Sequence, residues 1–242
     1  ADGSVPSWRV LLSPALPALA AAAPACIFEN DKLVTYALTT SKNGLTHSET
    51  LLPIADGVMR LLGKRMDEVG LFAVSAGPGS FTGVRIGVSL VKGFAFANHT
   101  PCAAVSPLEA LAKAHEAFPG VVCAVMDARR GQYYNALFQD GERLCSDRAV
   151  GTETLCAELA DGPVLICGDG AELFCERAAM PNLRLAPACA REQNALSVAL
   201  CGHRLMTLGQ AVTPDKLSPV YLRKPQPERE REERLSKGDS AK

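Results

Sequence analysis

Aromatic side chains are scarce in this chain, with eight Phe, four Tyr and one Trp among 242 residues. Charge is nearly balanced at −1, so there is no global basic field, and nucleic-acid binding by this chain alone needs a local patch. The four histidines, His47, His99, His115 and His203, are scattered. No His-x-x-x-His, His-Glu-x-x-His or Cys-x-x-Cys spacing occurs, so the usual metal patterns are missing and no metal site is expected. Nine cysteines, an odd number, read as small core residues in a reducing compartment rather than a disulfide framework. That points to the cytoplasm. The Ala-rich stretch 15–25 after Arg9 and Val10-Leu11-Leu12 has the look of an export signal. However, Pro14, Pro17 and Pro24 interrupt it, free cysteines fit export poorly, and the run is too broken to span a membrane. The alternative is a hairpin, with strand 10–12, an irregular Pro/Ala turn and strand 25–28, then Asn30-Asp31 turning into strand 33–39.

With 48% hydrophobic residues, the chain can bury a sizeable core as one large domain or two small ones. It is organised around residues 71–98. The apolar strand Leu71-Phe72-Ala73-Val74-Ser75-Ala76 runs into the turn Gly77-Pro78-Gly79-Ser80-Phe81-Thr82-Gly83, which opens a helix over 84–98. Gly77 and Gly79 permit backbone angles closed to other residues, Pro78 fixes one dihedral, and Ser80 or Thr82 can cap the helix. A strand, a glycine turn and a helix start make a possible anion site. The spacing nevertheless fits neither a P-loop nor a dinucleotide fingerprint, since Thr82 stands where each needs glycine and the first lysine is Lys92. A tight structural crossover is the plainer reading.

On the helix, Arg85, Ser89 and Lys92 form one polar stripe within about 40° at ~100° per residue, and apolar residues cover much of the rest. Either its own chain encloses this helix or one side is left for a partner. Thr46-x-x-Glu49 makes a capping box for an earlier helix that ends at Gly63, with an equally broad apolar stripe.

Further along, the pattern predicts a strand over 103–105, a helix from Ser106-Pro107 to Gly120 and a strand over 121–126. A turn at Asp127-Ala128-Arg129-Arg130-Gly131 leads to a return strand over 132–138 and a hairpin signal at Asp140-Gly141. A helix over 152–160, a strand over 164–167 and a turn at Gly168-Asp169-Gly170 follow. Last come a short helix to 178, a strand over 183–186 and a helix over 191–208. Both halves read as a strand hairpin followed by alternating helices and strands, which predicts two similar α/β lobes with mixed sheets. The expected division is 8–105 for the first lobe, 106–223 for the second, and a solvated or disordered tail over 224–242.

The motif Ala76-Gly77-Pro78-Gly79-Ser80-Phe81-Thr82-Gly83-Val84-Arg85-Ile86-Gly87 resembles the signature of the TsaB (YeaZ) family of bacterial tRNA threonylcarbamoyladenosine biosynthesis. His47-Ser48-Glu49 with Leu51-Leu52-Pro53, Ser106-Pro107-Leu108-Glu109-Ala110-Leu111-Ala112, Asp127-Ala128-Arg129-Arg130-Gly131-Gln132-x-Tyr134, Gly168-Asp169-Gly170-Ala171 and Pro219-Val220-Tyr221-Leu222-Arg223 recur in the family's order and spacing. The resemblance implies the two-lobed fold of the actin, sugar-kinase and heat-shock (ribonuclease H-like) superfamily. It also implies a non-catalytic role, with no catalytic or cofactor-binding residues. Such a chain pairs with the transferase TsaD, works with the ATPase TsaE, forms a homodimer when alone and meets tRNA through the complex, away from membranes. The implied partner face lies on the two broad helices, at Leu51, Leu52, Ala55, Met59, Val84, Val88, Val91 and Ala95. Asp127, Arg129 and Arg130 are candidates for contact with tRNA or TsaE, against a reading in which the arginines pair with Asp127 or nearby acids and Asp127 only fixes its own turn. Where the family carries Asp-Thr-Ser in the first hairpin, this chain has Ser13-Pro14-Ala15-Leu16-Pro17, which speaks against nucleotide binding there. Two alternatives remain, an ATP-dependent small-molecule kinase on the same fold, using Gly168-Asp169-Gly170 and Asp127, and a glycoprotease-like metallopeptidase.

Overall fold

The computed structural model describes the backbone of residues 8–12, 21–29, 32–41, 47–159 and 161–223, and side chains from residue 51 onward within those spans. The turn at Ser13–Pro17, the Thr46 cap and the tail over 224–242 lie outside the described residues.

Strand β4 (Val69–Ser75) is buried at all seven positions, as its unbroken apolar run requires of a strand covered on both faces. It sits in a five-stranded sheet with β1 (Trp8–Leu12), β2 (Ala21–Glu29), β3 (Lys32–Ser41) and β5 (Cys102–Val105), in the order β3-β2-β1-β4-β5. The first three strands pair antiparallel, and β4 and β5 add in parallel. Between them run α1 (His47–Leu61) and α2 (Phe81–Phe96). Strand alternation divides β4 between two cores. Phe72 and Val74 pack with Ala55, Val58 and Met59 of α1 and Val84, Val88, Val91 and Ala95 of α2.

Leu71 and Ala73 face the opposite side, against Ala195, Val198, Ala199 and Cys201 of α6 (Ala195–Thr207).

The second sheet repeats the plan. Strands β6 (Val121–Asp127), β7 (Gln132–Gln139), β8 (Glu142–Arg143), β10 (Val164–Cys167) and β11 (Leu183–Leu185) are ordered β11-β10-β6-β7-β8, and β9 (Arg148–Gly151) also pairs with β7. Strand β6 is antiparallel to β7 and parallel to β10. Helices α4 (Thr152–Glu158) and α5 (Ala171–Ala178) cover one face through Leu155 and Phe174. Leu108 and Leu111 of α3 (Pro107–Lys113) cover the other. The expectation of two similar mixed α/β lobes is met: each sheet opens on an antiparallel hairpin and is extended by parallel strands.

Several boundaries move. Strand β2 begins at Ala21 rather than 25, and α3 ends at Lys113, well before Gly120. Helix α6 begins at Ala195 instead of 191, because the Asn194 side chain accepts from the Ser197 N–H at 2.8 Å and sets the start. Strand β9 carries no signal that the sequence reading used. Helix α6 and the buried Leu217, which follow the second sheet in the chain, pack on the first. The close fit of α6 explains this: a Cβ on Gly202 would lie 2.4 Å from the Ala73 Cβ.

Candidate functional site

The signature turn is closed by a later segment of the chain. Gly77 has φ +112, and a Cβ there would lie 2.3 Å from the Val220 carbonyl oxygen. The Val220 N–H donates to the Ala76 carbonyl at 2.7 Å. Ser80, rather than Thr82, caps α2 by accepting from the Gly83 N–H at 3.4 Å. Above this helix start, the Phe81 and Tyr221 rings stack with centroids 4.8 Å apart. The Arg85 guanidinium lies 3.9 Å over the Phe81 ring, and its Nε donates to the Tyr221 hydroxyl at 2.8 Å. The turn therefore holds peptide and an aromatic stack, the structural crossover that its spacing suggested.

Farther along α2, Arg85 and Ser89 are exposed and Lys92 is half-buried, with Lys92 Nζ donating to the Asp215 carbonyl at 3.3 Å.

The expected partner face needs correction. Leu51, Ala55, Met59, Val84, Val88, Val91 and Ala95 are all buried, turned inward because their spacing forms the stripes that pack over β4. Of that set, Leu52 is uncovered, at 48% exposure. Among the described residues of these two helices, the other large apolar side chains left outside are Leu61, 78% exposed, and Phe96, 65% exposed. A shallow depression on α1, lined by Ile54, Gly57, Val58, Arg60 and Leu61, lies on the same side as Leu61. The sequence reading took the broad apolar faces of 51–62 and 84–97, which contain Leu61 and Phe96, for the partner face, but did not single these two out.

The β6–β7 tip carries the second candidate set. Asp127 Oδ1 accepts from the Arg129 N–H at 2.7 Å, so this carboxylate fixes its own turn. Arg129, Arg130 and Gly131 follow one another at φ 64, 58 and 74, a left-handed run that is costly for side-chain-bearing residues. Both arginines are exposed. Arg223 Nη1 donates to the Ala128 carbonyl at 2.8 Å.

Beside the tip, Asp169 Oδ1 accepts from the Asp127 N–H at 3.3 Å. Burial pushes the Asp169 carboxyl up to about 6, with Asp127 and Glu192 adding to it against the opposing Asp127 N–H. Its turn is filled by main chain. A Cβ on Gly168 would lie 2.0 Å from the Val125 carbonyl oxygen, and the Gly168 N–H donates to the Arg191 carbonyl at 2.7 Å. Among the described residues, no group of three or more His, Cys, Asp or Glu is placed to hold a metal ion, and no helix is long and apolar enough to cross a membrane.

Residues 41–159 match the family described as TsaD, tRNA N6-adenosine threonylcarbamoyltransferase. The chain is 32% identical over 155 residues to the tRNA threonylcarbamoyladenosine biosynthesis protein TsaB of Bacillus subtilis, covering 62% of this chain and 66% of that one. It is 35% identical over 98 residues to the Escherichia coli protein of the same name, covering 40% of this chain and 42% of that one. The matched stretches thus span under two thirds of these relatives' own lengths. Among solved structures, YeaZ from Pseudomonas aeruginosa superposes with a TM-score of 0.73 at 25% identity, covering 89% of this chain and 100% of that one.

Proposed function

The chain belongs to the TsaB (YeaZ) family, and we propose that it is a non-catalytic partner in threonylcarbamoylation of the adenosine next to the anticodon in tRNAs that read codons beginning with A. In this reading it pairs with TsaD, works alongside TsaE in the cytoplasm, meets tRNA through that assembly and forms a homodimer when alone. The observation that carries the reading is the outer surface of the first lobe's helices. There Leu52, Leu61 and Phe96 stay in water while the residues beneath them are fully packed. Apolar side chains left outside a well-filled core are what a protein partner removes from water, at roughly 25 cal/mol per Å² buried. Arg129 and Arg130, held outward by their turn, are proposed contacts for tRNA phosphates or TsaE.

The test is modification of unmodified tRNA by TsaD and TsaE of the same organism together with TsaC, the source of threonylcarbamoyl-adenylate, with and without this chain, while the mixture with TsaD is weighed by light scattering. Activity that needs the chain, together with a one-to-one complex, is the expected result. No stimulation and no complex overturns the reading.

A further inference from the structure

Residues 210–223 contain no helix or extended strand, yet they touch both lobes. The segment is anchored at its start, where Val212 and Cys102 exchange two main-chain hydrogen bonds of 2.8 Å, and where Leu217 is buried in the first lobe's core. Its end is held differently. Val220 and Tyr221 stay 47% and 42% exposed, so this end lies on the surface. Three of its contacts fall on the first lobe: the Val220 N–H on the Ala76 carbonyl, the Tyr221 ring on Phe81, and the Tyr221 hydroxyl on Arg85 Nε. The fourth, Arg223 Nη1 on the Ala128 carbonyl, falls on the second lobe at the base of the arginine tip.

We propose that residues 219–223 are a latch coupling the signature turn to the arginine tip, with Arg85 and Tyr221 as its positioning residues. Three independent features support it. Gly77 leaves room for the Val220 carbonyl where a Cβ would sit at 2.3 Å, so the turn's glycine is shaped to this segment. Arg85 meets Tyr221 through a hydrogen bond while its cation covers the Phe81 ring, a three-way contact in which each side chain fixes the other two. The tip that Arg223 grips holds two successive non-glycine residues at positive φ, a conformation that persists where surrounding contacts over-determine it. With the latch engaged, Ala128 is tied to the first lobe. Released, the latch uncovers the start of α2 and leaves the tip without the Arg223 bond.

Amide hydrogen exchange on the full chain and its Tyr221→Ala and Arg85→Ala variants tests the proposal. The expected result is an acceleration on the order of tenfold or more at Val220, accompanied by faster exchange over 128–132, while β10 keeps its wild-type rates. Tyr221→Phe, which keeps the stack and loses the hydroxyl, should show the same pattern at smaller amplitude. Faster exchange at Val220 with 128–132 unchanged would overturn the coupling. A uniform rise across every strand would also overturn it, because the segment would then be an ordinary part of the core. If the alanine variants do not fold, Tyr221→Phe and Arg85→Lys are read by the same criteria.

Discussion

A methyl group at position 77 would collide with the Val220 oxygen, and φ +112 adds backbone strain for any L side chain. Gly77→Ala is therefore expected to cost about 2–4 kcal/mol, read as a lower urea midpoint at unchanged m-value. Asp169 carries a pH dependence of opposite sense to that of a salt-bridged carboxylate. Its folded value near 6 stands above the unfolded value of about 3.9, so the folded chain holds the extra proton between those limits. The stability it contributes is complete below about pH 4, is lost as pH rises through about 6, and stays lost at neutrality. Asp169→Asn, whose amide oxygen can still accept from the Asp127 N–H, should raise neutral-pH stability by up to about 2 kcal/mol and flatten this slope. Urea midpoints measured across that range check it. Among the cysteines, burial pushes Cys102 up to about 11 and Cys167 and Cys201 up to about 12, so these stay protonated thiols. Cys189 is exposed, and mass spectrometry after brief alkylation should find it modified ahead of those three.

At the scale of the element, α1 and α2 show how far a pattern can be read. Helix α2 starts at Phe81, ahead of the expected 84, but the length and apolar breadth of both helices and a cap at Ser80 or Thr82 are legible in the residues, because capping and 3.6-residue periodicity are local. Which side of each stripe meets the sheet is not, since Val88 and Val91 look as available to a partner as Phe96 until β4 is in place. The inward set includes both valines. Val91→Asp is accordingly expected to unfold the chain, through an unpaired charge in the core, rather than to separate it from a partner. Leu61→Glu should leave the urea midpoint within about 0.5 kcal/mol of wild type while weakening the proposed complex with TsaD. A Leu61→Glu chain that pairs as tightly as wild type would place the partner face elsewhere. The arginine tip was visible as a turn with exposed charge. The left-handed run at Arg129 and Arg130 was not, because nothing in those two side chains demands it.

At the scale of the whole molecule, each sheet is finished by a helix that follows the other's last strand. Helix α3 comes after β5 yet packs on β6 and β7, and α6 comes after β11 yet packs on the first sheet. Glu109 of α3 ties them further, pairing with Arg143 at 3.0 Å and with Arg204 of α6 at 3.4 Å. Lobes interlocked in this way are expected to unfold together. Fluorescence of Trp8, in β1, and far-UV ellipticity should report coincident midpoints in urea; separated midpoints would show the lobes to be independent.

The order of strands and helices apart from β9, the duplicated plan, the glycine turn and the family resemblance were all present in the linear chain, because each depends on neighbours within a few residues or on motif spacing. Three things required the tertiary structure: which apolar residues face inward, the return of α6 to the first sheet, and the closing of the signature turn by Val220 and Tyr221. Each is a contact between residues far apart in the chain. Local chemistry admits several partners for such a residue, and packing density selects one of them.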